Sequence, residues 1–544
     1  MNFKEFESTD KLRGGYYTPD YLSDFILRWI KNINPKKILE PSCGDGIFLK
    51  SIENHIKGCD VTALELLKKE AAKARKLENV TKSNKYNVMS DDFLDWALPK
   101  IKKDESSFDA VVGNPPFIRY QYLPQEFQIN SECIFKLKRC KFTKHTNSWV
   151  PFLISSISLL RAGGRLGMVI PSEIMHVMHA RSLREYLEKE CKRILIIDPE
   201  ELWFEDTLQG AIIIFAEKKL NPLEPSTGLI VERVRGREFL KKDPERLFPK
   251  KSSKYRKDLD QKWMRALISK ECDDLLIQLS NSKKIRKFVE IASVDVGIVT
   301  GANKFFLVNN EIVENNKLHE YAHPMFGRSD HCPGIIYNNL QHKKNEKSSK
   351  PTNFLFFKDS SVERKPNVKK YINKGVSENL HTRYKCRIRE PWYTVPSVYK
   401  TKIGMLKRCH DAPRLILNEM GAYTTDTAYR IKSLKISSEN LVYAFINPLT
   451  SLCAEIEGRH YGGGVLELVP SEIEEMLIPV LPENSISKDD LGRLNDLVQT
   501  QKMKKVLEEQ SNKVLSKAGI TKKEQLILLE NWDSLRLRRQ RVSA

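Results

Sequence analysis

The sequence predicts an α/β chain: a Rossmann-like open sheet first, a mixed α+β region after it, and a short helical segment at the end. Three observations carry this reading. Lys37-Ile38-Leu39-Glu40-Pro41-Ser42-Cys43-Gly44-Asp45-Gly46-Ile47-Phe48-Leu49 reads as strand, glycine turn and helix, the crossover at which an open α/β sheet binds its ligand. From there to Glu217, apolar β-branched runs alternate with amphipathic helices. From about Asn221 that alternation breaks up, and beyond Pro482 the pattern becomes strongly helical. The expected boundaries are therefore 1–225, 226–483 and 484–544.

Residues 14–30 open with Gly14-Gly15-Tyr16-Tyr17-Thr18-Pro19, and Leu22, Phe25, Ile26, Trp29 and Ile30 then share one helical face. Thr18 is expected to cap that helix, with Pro19 in its first turn. In the glycine turn that follows, Gly44 and Gly46 let the backbone approach a ligand. The acid precedes them at Glu40, which suits the ammonium end of an amino-acid-like cofactor better than a pyrophosphate. Val61 to Glu65 is a second strand ending in a carboxylate, about 20 residues past the glycine turn, where a ribose-binding acid is expected. Tyr86 to Phe93 forms a third, with Asp92 as an acceptor and the Phe93 ring as a stacking face for adenine.

The fourth strand, Phe108 to Gly113, stops at Asn114-Pro115-Pro116-Phe117. Proline has no N–H, so this turn presents carbonyl acceptors beside the Asn114 side-chain oxygen, with Phe117 as an aromatic wall. Such a pocket suits a planar molecule bearing an amino group, since two acceptors on its hydrogens draw the nitrogen lone pair out of the ring. Tyr120 to Thr146 reads as a polar, mobile loop and Trp149 to Leu160 as a helix. Gly163–Ser172, Arg193–Asp198 and Gly210–Glu217 read as strands five to seven.

These motifs together resemble the gamma-class, TaqI-like S-adenosylmethionine-dependent DNA adenine-N6 methyltransferases of type II restriction-modification systems. The resemblance implies a seven-stranded class I methyltransferase domain followed by a DNA-recognition domain. Tyr17 and Thr18 match the cofactor-flanking motif, Glu40, Ser42, Cys43, Gly44 and Gly46 the methionine-side loop, Glu65 the ribose acid, and Asp92 and Phe93 the adenine-side contacts. Asn114, Pro115, Pro116 and Phe117 match the catalytic tetrapeptide, with Phe where Tyr is common. An aromatic in Leu202-Trp203-Phe204-Glu205 closes the other side of a flipped base in that family. Phe204 is the choice over Trp203, and an apolar loop anchor is the competing reading. The same tetrapeptide also occurs in enzymes resembling rRNA adenine and release-factor glutamine methyltransferases. A bifunctional restriction-modification enzyme and a DNA-binding protein with a vestigial catalytic fold are further alternatives.

The formal charge of +21 points to a phosphate backbone as partner. Residues 1–220 hold 34 Lys+Arg against 30 Asp+Glu, so most of the excess lies downstream. Within the downstream part, Lys304, Arg328, Arg383, Lys385, Arg387 and Arg389 are the candidate contacts to double-stranded DNA, and Arg459 to Val465 also resembles a recognition segment. Lys343 to Lys350 reads as an exposed loop. Ten cysteines without CxxC pairs fit reduced, buried thiols, and His176 and His179 read as a helix-surface pair, so no metal is expected. No stretch suits a membrane span and no signal pattern opens the chain, so a cytoplasmic protein is expected; a monomer is the expected state. A separate restriction endonuclease sharing the site is the genetic partner the resemblance implies.

Overall fold

The computed structural model describes residues 18–76, 83–203, 210–250, 255–256 and 262–541. Tyr17 and Phe204 lie outside them. The chain forms two compact units, residues 1–267 with 541–544 and residues 268–540.

In the first unit, helix α1 (Asp20–Lys31) precedes β1 (Lys37–Glu40), α2 (Ile47–His55), β2 (Asp60–Leu64), α3 (Lys68–Arg75), β3 (Lys85–Met89), α4 (Phe93–Lys102) and β4 (Phe108–Gly113). Then come α5 (Gln125–Leu137), α6 (Trp149–Leu159), β5 (Leu160–Pro171), α7 (Arg181–Glu190), β6 (Cys191–Pro199), β7 (Ala211–Lys218) and β8 (Gly228–Val234). The strands lie in the order β3-β2-β1-β4-β5-β7-β6-β8. All neighbours are parallel except β7, which runs antiparallel to both β5 and β6. Strand order reverses between β1 and β4, so the carboxyl ends of these two strands flank the crevice where an open α/β sheet binds ligands.

Packing explains the framework. Leu22, Phe25, Ile26 and Ile30 of α1 are fully buried, each contributing roughly 1.5–3 kcal/mol over an exposed position. The helix lies close over β5, where a Cβ on Gly167 would come within 2.6 Å of the Ile26 side chain. At the far edge of β1, the buried Asp109 carboxylate of β4 accepts from the Lys36 and Lys37 amides at 2.5 and 2.8 Å, fixing the register of the two central strands.

The sheet has eight strands where seven are expected, and the first unit runs past the expected boundary at 225. Two contacts hold the extra segment. Phe239 and Phe248 pack on Phe25 and Trp29, with ring centroids 5.1 and 5.5 Å apart. Glu245 pairs with Arg165 and Arg193 at 3.0 and 2.6 Å beside Glu217. This shift redistributes charge. The first unit carries 48 Lys+Arg against 37 Asp+Glu and the second 43 against 33, so the basic excess is shared almost evenly rather than concentrated downstream.

Other local expectations change as well. Tyr120 to Thr146 contains the thirteen-residue helix α5 instead of a loop, because Phe127, Ile134 and Phe135 form a buried face. Lys343 to Lys347 lies in a helix, Asn339–Lys347, that buries His342 and Asn345. His176 is buried rather than on a helix surface. All ten cysteines are free thiols.

The second unit is built around a five-stranded sheet in the order Ala292–Val296, Ala428–Ser433, Ile403–Leu406, Leu415–Asn418 and Ile336–Tyr337. Its three C-terminal helices, Lys488–Thr500, Met503–Val514 and Lys522–Gln540, belong to the same unit instead of forming a separate segment. Leu491, Leu494, Val498, Leu528 and Leu529 supply their buried faces, while Leu526 is exposed. Among the described residues, no helix is long and apolar enough to cross a membrane, and no group of three or more His, Cys, Asp or Glu is arranged to hold a metal.

Candidate active site

A cleft of about 270 Å³, including its open mouth, lies beside the carboxyl ends of β1 and β4. Thr18, Glu40, Ser42, Cys43, Gly44 and Asn114 line it together with Asp45, Ile47 and Phe48. Thr18 is buried there and does not cap α1, whose N-cap position is Pro19 without a side-chain bond. The sequence could not show this, because a Thr before Pro reads the same whether its hydroxyl turns to the helix or to a cleft.

The floor of the cleft is the glycine turn. The Gly46 amide donates to the Cys43 carbonyl at 2.8 Å, and the Cys43 amide to the Leu64 carbonyl of β2 at 2.8 Å. Gly46 sits at φ +95° as the N-cap of α2, a conformation that side chains with a Cβ rarely adopt. Gly44, at φ +53°, has nothing within 4 Å of where a Cβ would stand, so the backbone there is open to an approaching ligand.

The three acids expected at the strand ends fall into two states. Glu65 is held: its carboxylate accepts from the Gly44 amide at 3.0 Å and the Leu67 amide at 2.8 Å. Burial nevertheless raises its carboxyl above the usual range. Asp92 caps α4 by accepting from the Leu94 and Asp95 amides at 2.7 and 3.2 Å. Glu40 differs from both, because both its oxygens are buried with no hydrogen-bond partner among the described residues. Burial pushes its carboxyl well above the usual range, and Glu65 and Asp45 add to the effect. A buried carboxylate without a donor is costly, and a cationic or hydroxylic ligand group would relieve that cost.

Phe93 departs from expectation. It is the first residue of α4 rather than the end of a strand, and its ring is 98% removed from solvent between Trp96 and Phe152. Its face is spent on the core, so it offers no free stacking surface. Trp203 is likewise a core anchor, stacked on Phe239.

Across the cleft, Asn114 follows the last residue of β4. Pro115 is buried, while Asn114, Pro116 and Phe117 are half-buried. The Asn114 carbonyl accepts from the Ser42 hydroxyl at 3.1 Å. The Pro116 carbonyl accepts from the Ser148 hydroxyl, which in turn accepts from the Ile118 amide at 2.8 Å. The Pro115 carbonyl accepts no hydrogen bond among the described residues. The structure thus brings Thr18, Glu40, Ser42, Cys43, Gly44 and Asn114 together in the lining of the cleft, which Glu65 and Asp92 do not join, and it adds Ser148, a residue given no role by the sequence, as a partner of the turn.

In the second unit, four segments that are distant in sequence converge. A Cβ on Gly301 would lie 2.8 Å from the Lys385 Cβ, and the Asn303 amide side chain donates to Asp426 at 3.2 Å. Thr427 donates to the Gly327 carbonyl at 2.5 Å. Lys304, Arg328, Arg383, Lys385 and Arg387 are all exposed around this cluster, as are Tyr384 and Ile388. Arg328 lies 3.2 Å from Asp330. Arg389 is half-buried and differs from these exposed cations. Its guanidinium donates to the Val299 and Thr300 carbonyls at 2.7 and 2.8 Å and so holds the loop in place. The Arg459 segment forms a hairpin outside the cluster, with Arg459 paired to Glu472 at 3.1 Å.

Comparison with known proteins bears on both units. The family model for the Eco57I restriction-modification methylase matches residues 46–204, and that for the C-terminal domain of the type II methyltransferase M.Eco57I matches residues 260–515. The type II methyltransferase M.AccI of Acinetobacter calcoaceticus is 26% identical over 486 residues, covering 85% of this chain and 84% of its own. M.BstVI of Geobacillus stearothermophilus is 24% identical over 359 residues, covering 56% of this chain and 61% of its own. Among solved structures, the type IIG restriction endonuclease BpuSI aligns at 14% identity with a TM-score of 0.42, covering 97% of this chain and 66% of its own. This chain therefore spans most of M.AccI but under two thirds of the other two.

Proposed function

We propose, from the two Eco57I-type family models and the match to M.AccI, that this chain is a type II restriction-modification methyltransferase that methylates N6 of an adenine extruded from a short duplex DNA site, with S-adenosylmethionine as donor. The observation that carries this reading is the Asn114–Phe117 turn at the carboxyl end of β4: its first residue lines a cleft together with Glu40, a buried acid without a hydrogen-bond partner among the described residues. Both features fit the donor. Glu40 supplies a charge for its ammonium group, and the open Gly44 backbone admits its amino-acid end. Glu65 takes the ribose hydroxyls, since a carboxylate with two amide donors still has lone pairs to spare.

When bound, the donor supplies an electrophilic methyl carbon. The chain positions the acceptor. The Asn114 side-chain oxygen and the Pro115 carbonyl accept the two N6 hydrogens, and Phe117 stacks on the base. As N6 gains positive charge, these oxygens are already aimed at it and need no reorganisation. Lys304, Arg328, Arg383, Lys385 and Arg387 contact the phosphate backbone in this reading, while Arg389 only holds their loop. A separate endonuclease sharing the site is the proposed genetic partner.

The test is expression in a bacterial host free of DNA methylation, followed by single-molecule sequencing of its genome. The expected result is one short motif carrying N6-methyladenine at nearly every occurrence. An unmodified genome, with the protein folded and binding donor, would overturn the substrate and point to RNA or protein as acceptor.

A further inference from the structure

We infer that Ser148, assisted by Ser42, is a positioning residue that leaves the Pro115 carbonyl as the acceptor of the catalytic turn. The inference rests on the reading of Asn114 to Phe117 given above. Three consecutive carbonyls, of Asn114, Pro115 and Pro116, leave this turn, and with two prolines in the run the backbone has few N–H groups to satisfy them. Ser42 satisfies the first, at 3.1 Å, and Ser148 the third. The middle carbonyl is left without a donor among the described residues. The selection is made by side chains on the two elements that flank the turn.

The Ser148 hydroxyl is better placed for this than for its local duty. Ser148 is the N-cap residue of α6, and serine there ordinarily accepts from an amide in the first helical turn. Here it makes no such bond. Its oxygen accepts from the Ile118 amide at 2.8 Å, and its proton points to the Pro116 carbonyl, with the Asn147 side-chain oxygen a longer alternative at 3.3 Å. The Ser148 amide donates to the Ile118 carbonyl at 2.9 Å. The residue is fully buried, so water does not substitute for the hydroxyl. Helix α6 thus gives up a cap to hold the turn on both sides of Phe117.

Ser148→Ala keeps the backbone bond and removes both hydroxyl bonds. Ser158→Ala is the matched control: also buried in α6, with its hydroxyl bonded to the Ile154 carbonyl and the Tyr186 hydroxyl, away from the turn. On DNA carrying the mapped site, Ser148→Ala is expected to lower the single-turnover methylation rate by about 10- to 100-fold, the scale of a small misplacement of reacting groups. Donor affinity should stay within about twofold and the melting temperature near that of Ser158→Ala, which retains its rate. Ser148→Thr, which restores the hydroxyl, should recover most of the loss. A Ser148→Ala rate within about threefold of wild type, while Asn114→Ala is inactive, would overturn the inference. Equal activity of Asn114→Ala and wild type would instead overturn the site assignment itself.

Discussion

Glu40 and Glu455 are both fully buried glutamates, one in each unit, and they solve burial in opposite ways. Glu455, on the helix Pro448–Glu457, receives two bonds from Arg539 at 2.6 and 2.9 Å. Burial alone would raise its carboxyl, but the Arg539 guanidinium outweighs it and holds the group below the usual range. Among the described residues Glu40 has no such partner, and burial raises it. A structural buried acid arrives with its cation, whereas an acid built for a ligand waits for one. That contrast is the physical ground on which Glu40 is proposed to hold a ligand.

The largest effect expected is on the paired side. Glu455→Ala strands the Arg539 charge in the interior and should cost about 3–5 kcal/mol, read as a lower denaturant midpoint. If the variant unfolds like wild type, Glu455 and Arg539 contribute nothing as a pair and the contrast fails. Glu40→Gln should do the reverse to the free protein. It replaces a buried carboxyl whose charged form burial disfavours by a neutral amide of similar shape, so the melting temperature should hold or rise, while donor affinity falls by about 100-fold or more. Unchanged affinity in calorimetry would remove Glu40 from the binding site.

The two acids also predict opposite pH behaviour. For Glu40 the folded carboxyl lies above its unfolded value, so the folded state holds the extra proton between the two values. Its contribution to stability is present below the unfolded value and lost as pH rises through the folded one. For Glu455 the folded value lies below, so its contribution is present above the unfolded value and lost as pH falls through the folded one. Donor binding adds a third consequence. An ammonium group requires Glu40 ionised, so affinity should climb with pH, by up to about tenfold per unit below the raised value, and level off above it. Glu40→Gln should flatten that slope.

Much of this was legible in the sequence where the pattern is local. Strand, glycine turn and helix at residues 37–49 and the Asn-Pro-Pro-Phe stop after β4 fall where expected. What was not legible depends on direction or distance. Phe93 starts a helix and turns into the core, and Thr18 lines the cleft without capping the helix after it; one residue's rotation about a helix start decides each. Ser148 meets the turn across about 30 residues, and its identity as an N-cap type conceals the use of its hydroxyl. The expected charge asymmetry failed because Phe239 and Phe248 carry the basic stretch around them into the first unit.

The contrast between partnered and unpartnered charges extends to cations, where the effects are smallest. Arg389 and Lys385 are four residues apart in one basic run, and composition cannot tell them apart. Arg389 donates to the Val299 and Thr300 carbonyls, so Arg389→Ala leaves both with their partner removed and should cost about 1–3 kcal/mol of stability. Lys385 is exposed, with its ammonium 5.5 Å from the Tyr384 ring centroid and, among the described residues, on no backbone carbonyl, so Lys385→Ala should leave the melting temperature in place. Its expected loss is in DNA affinity, uniform across sequences, with the slope of log affinity against log salt shallower by about 1. If Arg389→Ala alters only the salt slope, or Lys385→Ala only the stability, the assignment of holder and contact is reversed. The carbonyl bonds of Arg389 would then be incidental to the loop.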